Sequence, residues 1–166
     1  MSTPKSDHDT LWELIKDIKY GMLTHRHVNG MLHAHPLTTQ NRSIDENGML
    51  YFFVSRATEL GQRIQADGNV AVSYGDKGDD TWVSISGTAT VSEDRKLKER
   101  LFNPMVKAWF PGGLDDPNLE LIEVHIDHAE YWDIHESKMT QLLKMATAAV
   151  TGKPPTMGEH KELTLG

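Results

Sequence analysis

The 166-residue chain contains no cysteine. Disulfides, thiolate catalysis and cysteine-ligated zinc are excluded together, so any redox chemistry has to come from a bound cofactor. Basic residues are also in deficit: 17 Lys and Arg against 24 Asp and Glu leave a net charge of −7. No basic block offsets that balance, and a protein that gains affinity by neutralising phosphates along a nucleic acid is not expected. Long apolar runs are missing, and the polar, acidic N-terminus has no apolar stretch of the signal-peptide kind, so no membrane partner is expected and the cytoplasm is the expected compartment. No Walker loop, Rossmann fingerprint or Gly-x-Ser-x-Gly elbow is present. What remains is 38% apolar content, enough for one domain over 1–166, with 1–8 as a loose arm and 151–166 as a tail.

Aromatics are scarce, 7% of the chain, and two of the four Trp fall between Pro104 and Asp133. There Trp109-Phe110 is followed by Pro111-Gly112-Gly113. Proline lacks the N–H donor and glycine favours positive φ, so a helix must end here and turn sharply, holding flat side chains on a stiff corner. Leu121 to Asp127 reads as a strand, and Ala129 to Asp133 begins a second, aromatic-rich one.

In chain order, Thr10 and Glu13 form a capping-box pattern before Leu11, Leu14, Ile15 and Ile18, predicting a helix over Leu11 to Lys19 that Gly21 ends. Met22 to His27 and Met31 to Gln40 flank Asn29-Gly30, the pair that supplies two positive φ angles to a tight hairpin. Met49 to Ser55 reads as a strand, Glu59 to Ala66 as a helix, and Asn69 to Tyr74 as a strand. Val83, Ile85, Ala89 and Val91 alternate with Ser84, Ser86, Thr88 and Thr90, one face apolar and the other wet. A helix from Ser92 carries Leu97, Leu101 and Phe102, and Asn103-Pro104 breaks and restarts it. A last helix, Lys138 to Val150, is capped by Ser137 and turns Leu142, Leu143, Met145, Ala146 and Ala149 inward. Strands in sequential hairpins with interspersed helices predict a mainly β protein, a small antiparallel barrel with peripheral helices.

Two stretches carry candidate chemistry. His33 and His35 share a strand face, and Pro36 interrupts the ladder, freeing neighbouring backbone groups for a ligand. At the next strand-to-helix turn, Val54-Ser55-Arg56-Ala57-Thr58 combines hydroxyls, a guanidinium and the free N–H groups of a helix start, which together suit a phosphate. The alternative there is an ordinary N-cap at Thr58 beside a solvated Arg. A metal reading of the nine His meets an obstacle. His-x-His on a strand is a workable ligand pair, but Thr38, Thr39 and Gln40 follow where a cupin needs a Glu, so the third ligand is missing and no metal site is assigned. His125 and Asp127 share a face with nothing tying them to the first pair.

Lys107-Ala108-Trp109-Phe110-Pro111, Asp115-Asp116-Pro117 and Ala129-Glu130-Tyr131-Trp132-Asp133, at this spacing, resemble the general stress protein branch of the pyridoxamine 5′-phosphate oxidase-like split barrels, which bind flavin. The resemblance covers nearly the whole chain, including Thr151-Gly152-Lys153-Pro154-Pro155. It implies a six- to seven-stranded antiparallel Greek-key split barrel and a homodimer with FMN, or alternatively FAD, at the interface. It further implies a cofactor site at His35, Pro36, Leu37 and Thr38 along the ring and at Val54, Ser55, Arg56 and Thr58 around the phosphate, with Trp109 reaching the flavin from the second subunit. Tyr131-Trp132 would be a barrel and interface feature, and Tyr74 and Trp82 weaker additions at the same rim. Two positions depart from the family pattern. His35 stands where Arg is usual, and a histidine carries only partial charge near neutral pH. Leu60 stands where Lys is usual, leaving Arg56, with Arg63, to supply the positive charge. The function implied is a stress-associated flavin redox protein without pyridoxamine phosphate oxidase activity. A flavin carrier or sensor without turnover is the alternative, and a His-based metal-binding barrel the second.

Overall fold

A computed structural model describes residues 3–134 and 138–165. Its sheet has seven strands, all antiparallel: β1 Tyr20–Arg26, β2 Leu32–Thr38, β3 Met49–Ser55, β4 Asn69–Asp76, β5 Thr81–Val91, β6 Leu119–Asp133 and β7 Glu159–Leu163. The strand order is β2-β1-β4-β5-β6-β3, with β7 pairing β6 beyond the end of β3. The sheet curls until its edges meet, and Gln40 N donates to Tyr51 O (2.9 Å) across the gap. This is the split barrel that the sequence predicts. Helices lie at its ends and outside: α1 Asp7–Ile15, α2 Glu59–Ala66, α3 Arg95–Leu101, α4 Pro104–Trp109 and α5 Lys138–Thr151. No helix among the described residues is long and apolar enough to cross a membrane.

The first hairpin sets the register on which the site depends. A two-residue Asn29-Gly30 turn would pair His25 with Ala34. Instead the loop is three residues, Val28 to Gly30, closed by His27 N donating to Met31 O and Gly30 N donating to His27 O (both 2.8 Å), with Gly30 supplying the positive φ of +86°. His25 therefore faces His33, and Leu23 faces His35. A one-residue shift exchanges the two faces of a strand, so loop length decides which side chains meet.

Several sequence expectations are corrected. Helix α1 starts at Asp7, because Ser6 and Asp9 form the reciprocal capping box in place of Thr10 and Glu13, and Gly21 lies inside β1. The expected arm is accordingly tied down: Asp7 Oδ2 accepts from Thr164 N at 2.7 Å. The two strands expected on either side of His128 are one 15-residue strand, β6. Ser86 pairs His128 and Gly87 pairs Ile126, so Asp127 is an extra bulged residue, and the inward set changes from Ile122, Val124 and Ile126 to Ala129, Tyr131 and Asp133. That change of parity made one strand read as two. Helix α5 forms as expected, but Leu142, Leu143, Met145, Ala146 and Ala149 all remain exposed. Its Ser137 cap lies outside the described residues.

The core fills the curl. Leu23, Phe52, Val72, Ile85, Val124 and Ile126 meet at its centre, closed by Leu11 and Ile15 of α1 and by Leu60 and Ile64 of α2. Behind β6, Leu97 and Leu101 cover Leu121, while Val106 and Phe110 cover Leu119. Phe110 is therefore a core residue and leaves the aromatic corner to Trp109.

Strand β7, read from sequence as tail, is anchored by the Tyr131 hydroxyl donating to Glu159 Oε1. Burial, then this bond to a carboxylate, push the Tyr131 pKa up to about 12 from an ordinary 10.0. A phenol raised in the folded state contributes stability fully present below its unfolded pKa and lost as pH rises through the folded one. Denaturant midpoints are thus expected to fall between pH 10 and about 12 in the wild type, and to fall less steeply over that window in Tyr131→Phe.

Candidate functional site

The turn from β3 into α2 is built by its own hydroxyls. Thr58 Oγ1 donates to Ser55 O (2.7 Å) and accepts from Gly61 N (3.3 Å), making Thr58 the N-cap of α2. Ser55 Oγ accepts from Ala57 N at 3.3 Å. Arg56 N donates to Asn118 O of the strand entry beside it (2.8 Å). The Arg56 side chain stays 55% exposed, while its Nε donates to Glu120 Oε2 (3.1 Å), a carboxylate with no solvent exposure. Arg56 thus stands at the head of α2 with one nitrogen committed. Leu60 is buried in the core. Arg63 turns away, donating to Arg26 O (3.1 Å) and lying 3.9 Å from Asp67, so the charge of the turn rests on Arg56 alone. Val54 is buried and can offer only backbone.

On the edge strand β2, His35 and Leu37 face inward while Pro36 and Thr38 face out. Pro36 sits opposite Met22 on an edge, where its missing N–H costs no interior ladder bond. Leu37 packs against the core. His35 Nε2 lies 3.1 Å from His25 Nε2, with the two rings stacked at 5.1 Å. His25 is 99% buried (1% exposed), and burial lowers its pKa, favouring the neutral imidazole. Glu59, the first residue of α2, brings its carboxylate to this group: Oε1 is 3.2 Å from His27 Nε2, and Oε2 is 3.6 Å from His33 Nδ1.

Sequence reasoning missed Glu59. An acidic residue in a helix's first turn is ordinary dipole complementation, and nothing local links it to a hairpin some thirty residues earlier. The signal that could have found the cluster is hairpin register, which sets His25 beside His33.

Trp109 ends α4 at 81% exposure, one turn after the exposed Met105. A large aromatic left in water marks a contact surface. Trp82 and Trp132 are a cross-strand pair on the outer sheet face, both partly exposed, and Trp132 stacks on His160 at 4.7 Å. Tyr74, expected at the rim, is instead buried, its hydroxyl bonded to Thr39. Between the tryptophans and the exposed Tyr20, Met22 and Pro36, the outer face carries small side chains: Ala34, Ala71, Ser73, Ser84 and Ser86. A partner sheet could approach that face closely.

A profile of the pyridoxamine 5′-phosphate oxidase-like proteins matches residues 6–156. Protein bli-3 of Neurospora crassa is 29% identical over 129 residues, 72% of this chain and 62% of that protein. General stress protein 26 of Bacillus subtilis is 28% identical over 78 residues, 45% of this chain and 55% of that protein. The chain thus matches less than two thirds of the length of these curated relatives. Among solved structures, the general stress FMN/FAD binding protein of Xanthomonas citri superposes with a TM-score of 0.66 at 34% identity, over 79% of this chain and 90% of that one.

Proposed function

Because this chain belongs to the pyridoxamine 5′-phosphate oxidase-like family, in its general stress protein branch, we propose that it binds a flavin nucleotide in the seam of a homodimer and serves a stress-associated redox role. FMN is the cofactor that the turn fits, with FAD as the alternative. The observation that carries the reading is the half-exposed Arg56, held by Glu120 at the start of α2 beside Ser55. Helix-start N–H groups and a fixed guanidinium are a donor set for a phosphate. Thr58 orients that turn by capping α2.

Along the ring, His35, Pro36, Leu37 and Thr38 would present the edge strand, and the partner subunit would bring Trp109. The small outer face of the sheet supports close approach of a second copy. When bound, a flavin supplies hydride and electron transfer, and the chain supplies position and electrostatics. With His35 in place of a permanent cation, the support for negative charge near the ring is weaker than an arginine would give.

Anaerobic mixing of the FMN-loaded protein with NADH, NADPH or a quinol tests the redox role. Bleaching of the flavin absorbance by one of these donors is the expected result. If none of them reduces it, the protein is a flavin carrier or sensor without turnover. Oxidation of pyridoxamine phosphate is not expected.

A further inference from the structure

We propose that His25, His33 and Glu59 form a binding site for a divalent transition-metal ion, with zinc the best match to the donors. One nitrogen from each imidazole and one carboxylate oxygen all lie within 4.8 Å of one another. His25 Nε2 is 4.0 Å from Glu59 Oε2, and His33 Nδ1 is 3.6 Å from the same oxygen. In a tetrahedral zinc site with bonds of about 2.0–2.1 Å, neighbouring donors stand about 3.3–3.4 Å apart. The group therefore needs to close by well under an ångström along each of these edges.

The elements that hold the donors are rigid ones. His25 and His33 are cross-strand partners on β1 and β2, and Glu59 opens α2 with its cap already made. Two imidazoles and a carboxylate suit zinc and its neighbours. Calcium and magnesium want oxygen donors, and copper(I) or iron–sulfur clusters want sulfur. Glu59 Oε1 is buried and makes no well-formed hydrogen bond among the described residues, its ion-pair neighbour being His27 Nε2 at 3.2 Å. A buried acceptor in that state is destabilising unless something compensates it. An ion on this carboxylate would do so.

The two remaining His of the hairpin complete the arrangement. His27 Nε2 stands 3.2 Å from Glu59 Oε1, where an orienting neighbour of a ligating carboxylate belongs. His35 Nε2 lies 3.1 Å from His25 Nε2, and a water would fill the fourth position. The obstacle met in the sequence, a missing third ligand on the strands, is removed by a helix that the strands' own spacing could not reveal. The inference does not depend on flavin binding, because neither His25, His33 nor Glu59 belongs to the proposed flavin site.

The test is calorimetric titration of the chelator-treated, flavin-free full chain with Zn²⁺, repeated with Co²⁺ to read its visible absorption bands. Variants His33→Ala and Glu59→Gln are compared with His128→Ala. The last removes the His of a more exposed His128, Glu130 and Glu162 group that could bind metal instead. The His33 and Glu59 side chains are 37% and 35% exposed, so the first two variants should keep the fold, and circular dichroism checks this. One ion per chain is expected. His33→Ala and Glu59→Gln should each weaken affinity beyond the roughly 10–100-fold that loss of an orienting neighbour costs, while His128→Ala leaves it unchanged. Absence of stoichiometric binding, wild-type affinity in His33→Ala or Glu59→Gln, or loss in His128→Ala would overturn the assignment.

Discussion

Replacing Arg56 by Met is expected to lower stability by about 3 kcal/mol, because it strands a buried carboxylate. Glu120 is completely buried on the inward side of β6, and Oε1 already lacks a hydrogen-bond partner among the described residues. Its charge is tolerated because Arg56 Nε reaches Oε2 at 3.1 Å. Breaking a buried pair from one side costs about 3–5 kcal/mol, and the lower end applies here because half of the Arg56 side chain stays in water. Exchanging both partners for apolar side chains is often neutral, so Arg56→Met combined with Glu120→Leu should recover most of the lost stability. Flavin affinity should not recover with it. A charged hydrogen bond to phosphate contributes about 1.5–3 kcal/mol, or roughly 10–150-fold in Kd, and both the single and the double variant lack it. Urea midpoints and flavin fluorescence titrations on the same three proteins separate the two roles.

Trp109→Ala should do the reverse, sparing the protomer and damaging assembly. At 81% exposure the ring buries little within its own chain, and substitutions at such positions usually change stability by no more than about 0.5 kcal/mol. An aromatic anchor at the centre of an interface is worth about 2 kcal/mol or more, roughly thirty-fold in Kd. If Trp109 crosses to the partner's flavin, the variant should keep its urea midpoint, weaken FMN binding by that factor and shift toward monomer in sedimentation at low concentration. Unchanged FMN affinity and an unchanged sedimentation profile would return Trp109 to the status of an ordinary surface residue.

The sequence was most legible where local chemistry decides local structure. Strand β3, Met49–Ser55, and helix α2, Glu59–Ala66, lie where the Asn47-Gly48 turn before the one and the Asp67-Gly68 stop after the other place them. Val83 to Ala89 keeps its inward face through β5. Legibility failed where one residue of register carries the outcome. The bulge at Asp127 reverses inward parity within β6, and a three-residue loop with one positive φ, where Asn29-Gly30 was expected to supply two, pairs His25 with His33. Competing caps are a second source of error, since Ser6 with Asp9 and Thr10 with Glu13 carry the same signal and only the first is used. For the site, the Ser55 to Thr58 turn was readable as a helix start, but the burial of Glu120 beneath Arg56 was not, since it joins segments far apart in the chain. Helix α5 shows the limit of periodicity: an apolar stripe specifies burial, yet Leu142, Leu143, Met145, Ala146 and Ala149 stay exposed among the described residues.

Native mass spectrometry of the protein incubated with FMN tests the central claim most directly, because one spectrum reports both assembly and stoichiometry. A dimer carrying two FMN molecules, with cofactor occupancy falling as the dimer dissociates on dilution, is the result predicted for a flavin held between two copies. A monomer free of flavin, or a monomer that holds FMN as tightly as the dimer does, would contradict it.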